Sequence, residues 1–262
     1  MLFVILVALV VTAQLRAADR GEKRTPVIVE LFTSEGCSSC PSADELLAKL
    51  VKDQPIENAN IIALAFHVDY WNKLGWPDGF SSREFTQRQY DYAKALGLGG
   101  RVYTPQMIVD GASEFVGSDS ARARAAIDGA ASNPKPAIDL QVASVEPSQI
   151  KLRANAPETL KAKDGQTLEL LVALTEDDLT SDVKRGENAG RKLHHAAVVR
   201  QVKVAASATG SEPFGKDIQI TIPLDKSWNL DNVKAVAFVQ NRDSRKILAA
   251  GAIAARAASD AK

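Results

Sequence analysis

Apolar positions divide the chain into two regions of different texture. From Pro26 to about Ser132, short apolar runs alternate with segments of helical spacing. Val27–Thr33 and Asn60–His67 are near-continuous β-favouring runs, the pattern of parallel strands buried on both faces. Pro41–Val51 places Leu46, Leu47 and Leu50 at helical spacing, with Asp44 and Glu45 near the positive end of the helix dipole. Ser82–Leu96 reads as a helix opened by the capping pair Ser81 and Glu84 and stopped by Gly97. Val102–Val109 reads as a strand that Asp110-Gly111 turns into Ser113–Val116. A last helix rich in Ala and Arg opens at Ser118 or Ser120 and ends near Ala131. The predicted order is β-α-β-α-β-β-α.

Asn133-Pro134-Lys135-Pro136 then reads as a stiff linker. Beyond it the pattern changes to strands, near 137–145, 149–154, 167–175, 193–205, 217–222, 233–240 and 246–254. Such spacing, broken by turn residues, suggests an antiparallel sandwich. Asp177–Gly190 is a long polar connection. The expected architecture is an α/β domain over 26–133 followed by an all-β, sandwich-like domain over 137–257, with a frayed tail from Ala255.

The first 18 residues differ from both regions. Met1–Val11 is an unbroken apolar run too short to span a bilayer, which takes roughly 20 residues. Small residues follow it, so 1–18 reads as a signal peptide, although no Lys or Arg precedes the apolar run. The mature chain is expected to be periplasmic or secreted, without stable membrane insertion. Composition adds exclusions. Lys+Arg and Asp+Glu are both 32, with 45% apolar and 24% charged residues, so the chain is globular and shows no charge excess for a nucleic-acid partner. With two cysteines and three histidines, it has neither a disulfide framework nor a Cys-rich zinc module, and no metal site is assigned.

Cys37-Ser38-Ser39-Cys40 lies directly between the first strand and the first helix. A C-x-x-C there sets the first sulfur near orphan backbone N–H groups and the positive end of the dipole, which favour thiolate. The second sulfur, one turn in, is close enough to close a disulfide, is expected to be the more buried, and acts as the resolving thiol. A purely stabilising cross-link is a weaker reading, because the benefit grows with the loop closed and this loop holds two residues. A copper site completed by His67 is a further alternative. Glu35 would raise the Cys37 pKa if close, and a helix beginning only at Pro41 would leave Cys37 outside it, so only a modest lowering is expected.

Strand–CxxC–helix–strand, then Thr104-Pro105 before a hairpin and a last helix, resembles the thioredoxin superfamily over about 26–132. The resemblance implies a thioredoxin-like α/β fold, a cis peptide before Pro105 packed against the cysteines, and Thr104 backbone facing a bound partner. Glu30–Pro41, His67–Trp76, Val102–Gln106, Gly186–Arg191 and His195–Arg200 are closely similar to a family of secreted thioredoxin-like proteins of unknown function with a C-terminal β-domain. Thioredoxins carry a buried carboxylate one residue nearer the cysteine than Glu30. The resemblance therefore implies a proton relay at Glu30, against which stand the one-residue offset, able to flip the side chain across the sheet, and a pairing with a cation such as Lys73 or Arg101.

The loop 69–80 concentrates aromatic residues, and Tyr70, Trp71 and Trp76 form either a substrate-binding rim or packing for the insertion. His67 reads as a proton-transfer aid or a hydrogen-bonded structural residue. His194 and His195, adjacent on a strand, point to opposite faces and cannot easily share an ion. The leading expectation is a thiol–disulfide oxidoreductase acting on protein or small thiols, with Cys37, Cys40, Pro105 and Glu30 as catalytic residues. It needs no cofactor beyond the Cys37–Cys40 disulfide. The alternatives are a binding module with a vestigial CxxC and a copper-handling protein.

Overall fold

A computed structural model describes residues 24–210 and 213–256. The expected leader, 1–18, and most of the expected tail lie outside the described residues. Strand β1 (Thr25–Thr33) is buried along its whole length and pairs in parallel with β2 (Ala59–His67). Between them runs helix α1 (Pro41–Asp53), with Pro41 at its first position, where a missing N–H costs nothing. Helix α2 (Arg83–Ala95) follows, capped by the Ser82 hydroxyl, which accepts from the Glu84 and Phe85 amides. The cap is therefore one residue later than the Ser81 expected. Strands β3 (Gln106–Val109) and β4 (Ser113–Val116) form the hairpin, and α3 (Ser120–Ala131) starts from Asp119. The strand read from Val102 begins only at Gln106, after the Thr104–Pro105 bond, which is cis.

The second half contributes β5 (Asp139–Glu146), β6 (Gln149–Asn155), β7 (Thr167–Glu176), β8 (Leu179–Asp182), β9 (Lys192–His195), β10 (Val198–Thr209), β11 (Ile218–Pro223), β12 (Val233–Asn241) and β13 (Ile247–Ala254). The segment read as one strand over 193–205 is two, β9 and β10, broken where Ala197 takes φ 53°. Strand β8 lies inside the stretch read as a polar connection.

The protein is largely β, organised around one mixed eight-stranded sheet of order β13-β12-β7-β10-β2-β1-β3-β4. The expected α/β region and sandwich-like β region therefore share a sheet, which runs through both halves. The join is the parallel contact of β10 with β2, where Val198 pairs with Ala65 and the Ala65 amide donates to the Ala197 carbonyl at 2.8 Å. A sandwich-like layer does exist, since β11-β6-β5 form a three-stranded sheet packed on the β7–β12–β13 part of the large one. Alternation along β7 explains the layering. Leu168, Leu170, Val172 and Leu174 face the small sheet, whereas Leu171 and Ala173 join the core beneath α2. The linker is pinned at its far end, because Ile138 donates to the Ala250 carbonyl and a Cβ on Gly251 would lie 2.3 Å from the Ile138 carbonyl oxygen.

On β1 the same alternation decides the position of Glu30. Val27, Val29 and Leu31 face α1 and α3, while Ile28 and Phe32 face α2. Glu30 shares the α2 face, fully buried, and Arg88 holds both of its oxygens at 2.7 and 2.9 Å. Tyr92 also donates to Glu30, and Arg88 reaches Gln240 of β12 at 3.2 Å. The expected relay carboxylate thus lies on the sheet face opposite α1, and its cation is Arg88 rather than Lys73 or Arg101. Arg88→Ala leaves a buried carboxylate unpaired and is expected to destabilise the protein by about 3–5 kcal/mol, read as a lowered urea midpoint.

Candidate functional site

Cys37 and Cys40 close a disulfide with their Cα atoms 5.4 Å apart. The segment is a chain of tight turns: the Cys37 amide donates to the Ser34 carbonyl and the Cys40 amide to the Cys37 carbonyl, both at 3.2 Å. Cys40 is the N-cap of α1, so Cys37 lies outside the helix. Ser38 and Ser39 are exposed, but Cys37 and Cys40 both have 0% of their surface accessible. Neither sulfur is therefore the more accessible one, contrary to the expected contrast between attacking and resolving thiols.

A loop from the second half lies over this turn. Residues 183–191 connect β8 and β9. The fully buried Asn188 donates through Nδ2 to the Glu35 carbonyl at 2.8 Å and the Cys37 carbonyl at 2.9 Å. The Glu187 carboxylate accepts from the Ser38 amide at 3.0 Å. Neither residue was singled out for a role in the sequence reading; the Gly186–Arg191 phrase, with its flanking glycines, was the available signal.

Thr104 and Pro105 are brought to the same region. Trp71 donates from Nε1 to Thr104 Oγ1 at 2.8 Å, and its Cβ would lie 3.1 Å from a Cβ on Gly36. At Gly117 an added Cβ would lie 3.1 Å from Pro105 Cβ and 3.2 Å from Ala43 Cβ in the first turn of α1. The aromatic residues of the loop turn their polar ends inward. Trp76 donates to Glu35 Oε2 at 2.6 Å and Tyr70 donates to Gln89 at 3.3 Å. Burial pushes the Tyr70 phenol up to about 12, against its hydrogen bonds to Gln89 and Thr104. The most exposed apolar side chain of this loop is Leu74, at 53%.

Beside the disulfide lies a buried cluster of five titratable groups: Glu35, Asp44, His67, Asp78 and His195. His67 Nδ1 and Asp78 Oδ2 are 2.7 Å apart, and Asp78 also accepts from the Glu35 and Phe80 amides. Burial disfavours the charged form of each, but the mutual attraction prevails, raising the His67 pKa and, with the two amides, lowering that of Asp78. Glu35 is likewise held down despite burial by His195, Ser181 and Trp76, while desolvation raises Asp44. His195 Nε2 stands 3.3 Å from Glu35 Oε1 and its Nδ1 3.9 Å from Asp44 Oδ2. The alternation expected for the histidine pair holds, with His194 exposed and His195 buried. Among the described residues, no group of three His, Cys, Asp or Glu side chains is arranged to hold a metal ion, so the copper alternative has no such site there. No helix among them is long and apolar enough to cross a membrane.

The chain belongs to the family described as a protein of unknown function, DUF1223, whose model matches residues 28–240. It is similar in structure to protein AGR_C_4864 from Agrobacterium tumefaciens, with 28% identity over 89% of this chain and 96% of that one, and a TM-score of 0.62. A domain of the outer membrane lipoprotein Omp28 from Porphyromonas gingivalis is 18% identical over 46% of this chain and 88% of that one, but its TM-score of 0.28 is too low to bear on the fold. No curated protein matches.

The signs of the shifts define a pH window. The Asp78 contribution is present above its unfolded value of about 3.9 and is lost as pH falls through its lower folded value. The His67 contribution is complete below about 6.5 and is lost as pH rises through its higher folded value. Asp78→Asn is therefore expected to cost about 3–5 kcal/mol between these limits and progressively less beyond either. Urea midpoints of both proteins across the pH range check this.

Proposed function

We propose that this protein is an exported thiol–disulfide oxidoreductase with a thioredoxin-like unit, acting on protein or small thiols in the periplasm or outside the cell. The reading is carried by the Cys37–Cys40 disulfide, closed at the junction of a buried strand and the helix that follows it. The order β1-α1-β2-α2-β3-β4-α3, with neighbours β2-β1-β3-β4 in the sheet, supports it, as does the cis Thr104–Pro105 bond. In exchange, a partner thiolate bonds to Cys37 Sγ, the Cys37–Cys40 bond breaks, and Cys40 Sγ leaves with the electron pair and takes up a proton. A second partner thiol then releases Cys37, so two electrons and two protons pass to the cysteine pair. The disulfide carries the electrons and no organic cofactor enters. Thr104 and Pro105 line the partner's approach, with Trp71 holding Thr104 in place. Residues 183–191 act as a cover that lifts to admit the partner.

One observation favours a second reading: neither cysteine has accessible surface. In that reading the cross-link is structural and the protein is a binding module. Two experiments separate them. In an insulin-reduction assay coupled to glutathione, Cys37→Ser is expected to fall to background; activity equal to wild type removes the enzyme reading. Loosening the cover by Glu187→Ala or Asn188→Ala is expected to speed reduction of the disulfide by dithiothreitol about tenfold, the effect of about 1.4 kcal/mol. Unchanged rates in both variants favour the structural cross-link.

A further inference from the structure

Reduction of the disulfide needs protons as well as electrons, and in the closed state neither cysteine has surface from which solvent could supply them. The cluster beside them contains unpartnered polar atoms. His67 Nε2, both ring nitrogens of His195 and Glu35 Oε1 are buried without a hydrogen-bond partner. His195 lies within ion-pair distance of Glu35 and Asp44 but outside hydrogen-bonding geometry. The two imidazoles stand 5.0 Å apart, centre to centre, with Phe80 packed at 5.4 Å against one and 5.6 Å against the other. Leaving such groups unpaired in a low-dielectric interior is costly, and a chain of them that could share protons is an arrangement suited to moving one.

Its position gives it both ends of a path. At the inner end the cluster adjoins the cysteines along the chain: Glu35 is two residues before Cys37 and Asp44 four after Cys40, in the first turn of the helix that Cys40 caps. At the outer end, a cleft of about 440 Å³ between α1 and the β8–β9 hairpin is lined by His195 together with Lys52, Asp177, Asp178, His194 and Lys234. We propose that His195 and its partners Glu35, Asp44 and His67 deliver the proton taken up by Cys40 as the disulfide breaks, fed from solvent through the cleft beside α1. The assignment rests on the exchange chemistry proposed above. His195 acts through the two carboxylates and is a positioning and relay residue rather than one that contacts the reacting sulfur.

The groups facing the relay come from every surrounding element. Thr33 and Glu35 come from the end of β1 and the turn after it, Asp44 from α1, and His67 from β2. The loop before α2 brings Trp76, Asp78 and Phe80, β8 brings Ser181, and Arg200 of β10 lies over Phe80 at 5.2 Å while pairing with Glu176 at 3.6 Å. The ion pair His67–Asp78 is internally neutral, and ionised Glu35 adds a negative charge beside His195. A bare thiolate forming beside that charge is disfavoured. The leaving sulfur therefore departs more readily when the relay is loaded, which is the low-pH state.

The test uses the full protein and dithiothreitol, a dithiol that supplies both electrons, at concentrations where the rate is still proportional to reductant. The second-order rate constant, divided by the thiolate fraction of dithiothreitol, is measured across the range where imidazoles titrate. In wild type it is expected to fall about tenfold or more from the acid to the alkaline end, with a normal solvent deuterium isotope effect. His195→Gln is expected to lower the acid-side rate about tenfold, flatten the profile and abolish the isotope effect, while Asp182→Asn on the exposed hairpin leaves all three unchanged. A flat wild-type profile with an isotope effect of one overturns the proposal without any variant. So does a His195→Gln protein, folded by circular dichroism, that keeps both signatures. Because the reaction is stoichiometric, a protein inactive on insulin that retains the profile loses the enzymatic reading but keeps the relay; one active on insulin with a flat profile loses only the relay.

Discussion

Asn188 donates its two amide protons to the carbonyls of Glu35 and Cys37, more than 150 residues earlier in the chain. Without it, the Glu35 carbonyl of a buried turn would lose this partner, at roughly 1–3 kcal/mol, and the Cys37 carbonyl would keep only the Cys40 amide. The β8–β9 hairpin that presents Asn188 forms a two-stranded sheet that, among the described residues, pairs with no other strand. Its hold on the disulfide turn is thus a matter of a few polar contacts, the Glu187 carboxylate on the Ser38 amide among them, rather than of a continuous ladder. Such contacts keep a fixed geometry while closed and are exchanged for water when opened, so the cost of opening is modest beside that of breaking a core.

The hairpin can sit there because the two halves are joined elsewhere more firmly. Strand β10 adds to the edge of β2, and the left-handed turn at Ala197 sends β9 toward α1 while β10 continues in the large sheet. Beneath the sheet, Arg88 ties Glu30 of β1 to Gln240 of β12, and Arg245 pairs with Asp91 of α2. The cation also lies within 5.5 Å of the ring centres of Phe66, Tyr92 and Phe238. Glu30, read in sequence as a relay, is thus engaged by Arg88 and Tyr92 on the α2 face and links the two halves through Gln240.

Much of this was legible in the sequence because apolar periodicity reports burial directly. Nearly every strand of the second half lies within a few residues of where alternation and turn residues put it, and α1 starts at Pro41 as its missing N–H dictates. The failures share a cause: they depend on contacts remote in sequence. Nothing local marks Ala197 as a positive-φ residue, so β9 and β10 read as one strand. The join of β10 to β2 turns an expected pair of domains into one sheet, and no motif encodes it. The site was half legible. The cysteines, the Thr104–Pro105 bond and the opposed faces of His194 and His195 followed from pattern and resemblance. The pairing of His195 with Glu35 and Asp44, and the cover formed by Glu187 and Asn188, required the folded chain.

The charged cluster bears on why the disulfide is covered at all. In water, a thiolate released by exchange is stabilised wherever it forms, and proton uptake can follow at leisure. In a low-dielectric pocket beside ionised Glu35, the same thiolate is penalised by desolvation and by repulsion, so electron and proton must arrive together. Lifting the 183–191 loop changes that balance. Exposure of the turn would admit a partner and at the same time hydrate Glu35, weakening its hold on His195. Under the proposed exchange, access to the sulfurs and the electrostatics of their surroundings are therefore linked through the same few atoms, and a change that loosens the loop alters both.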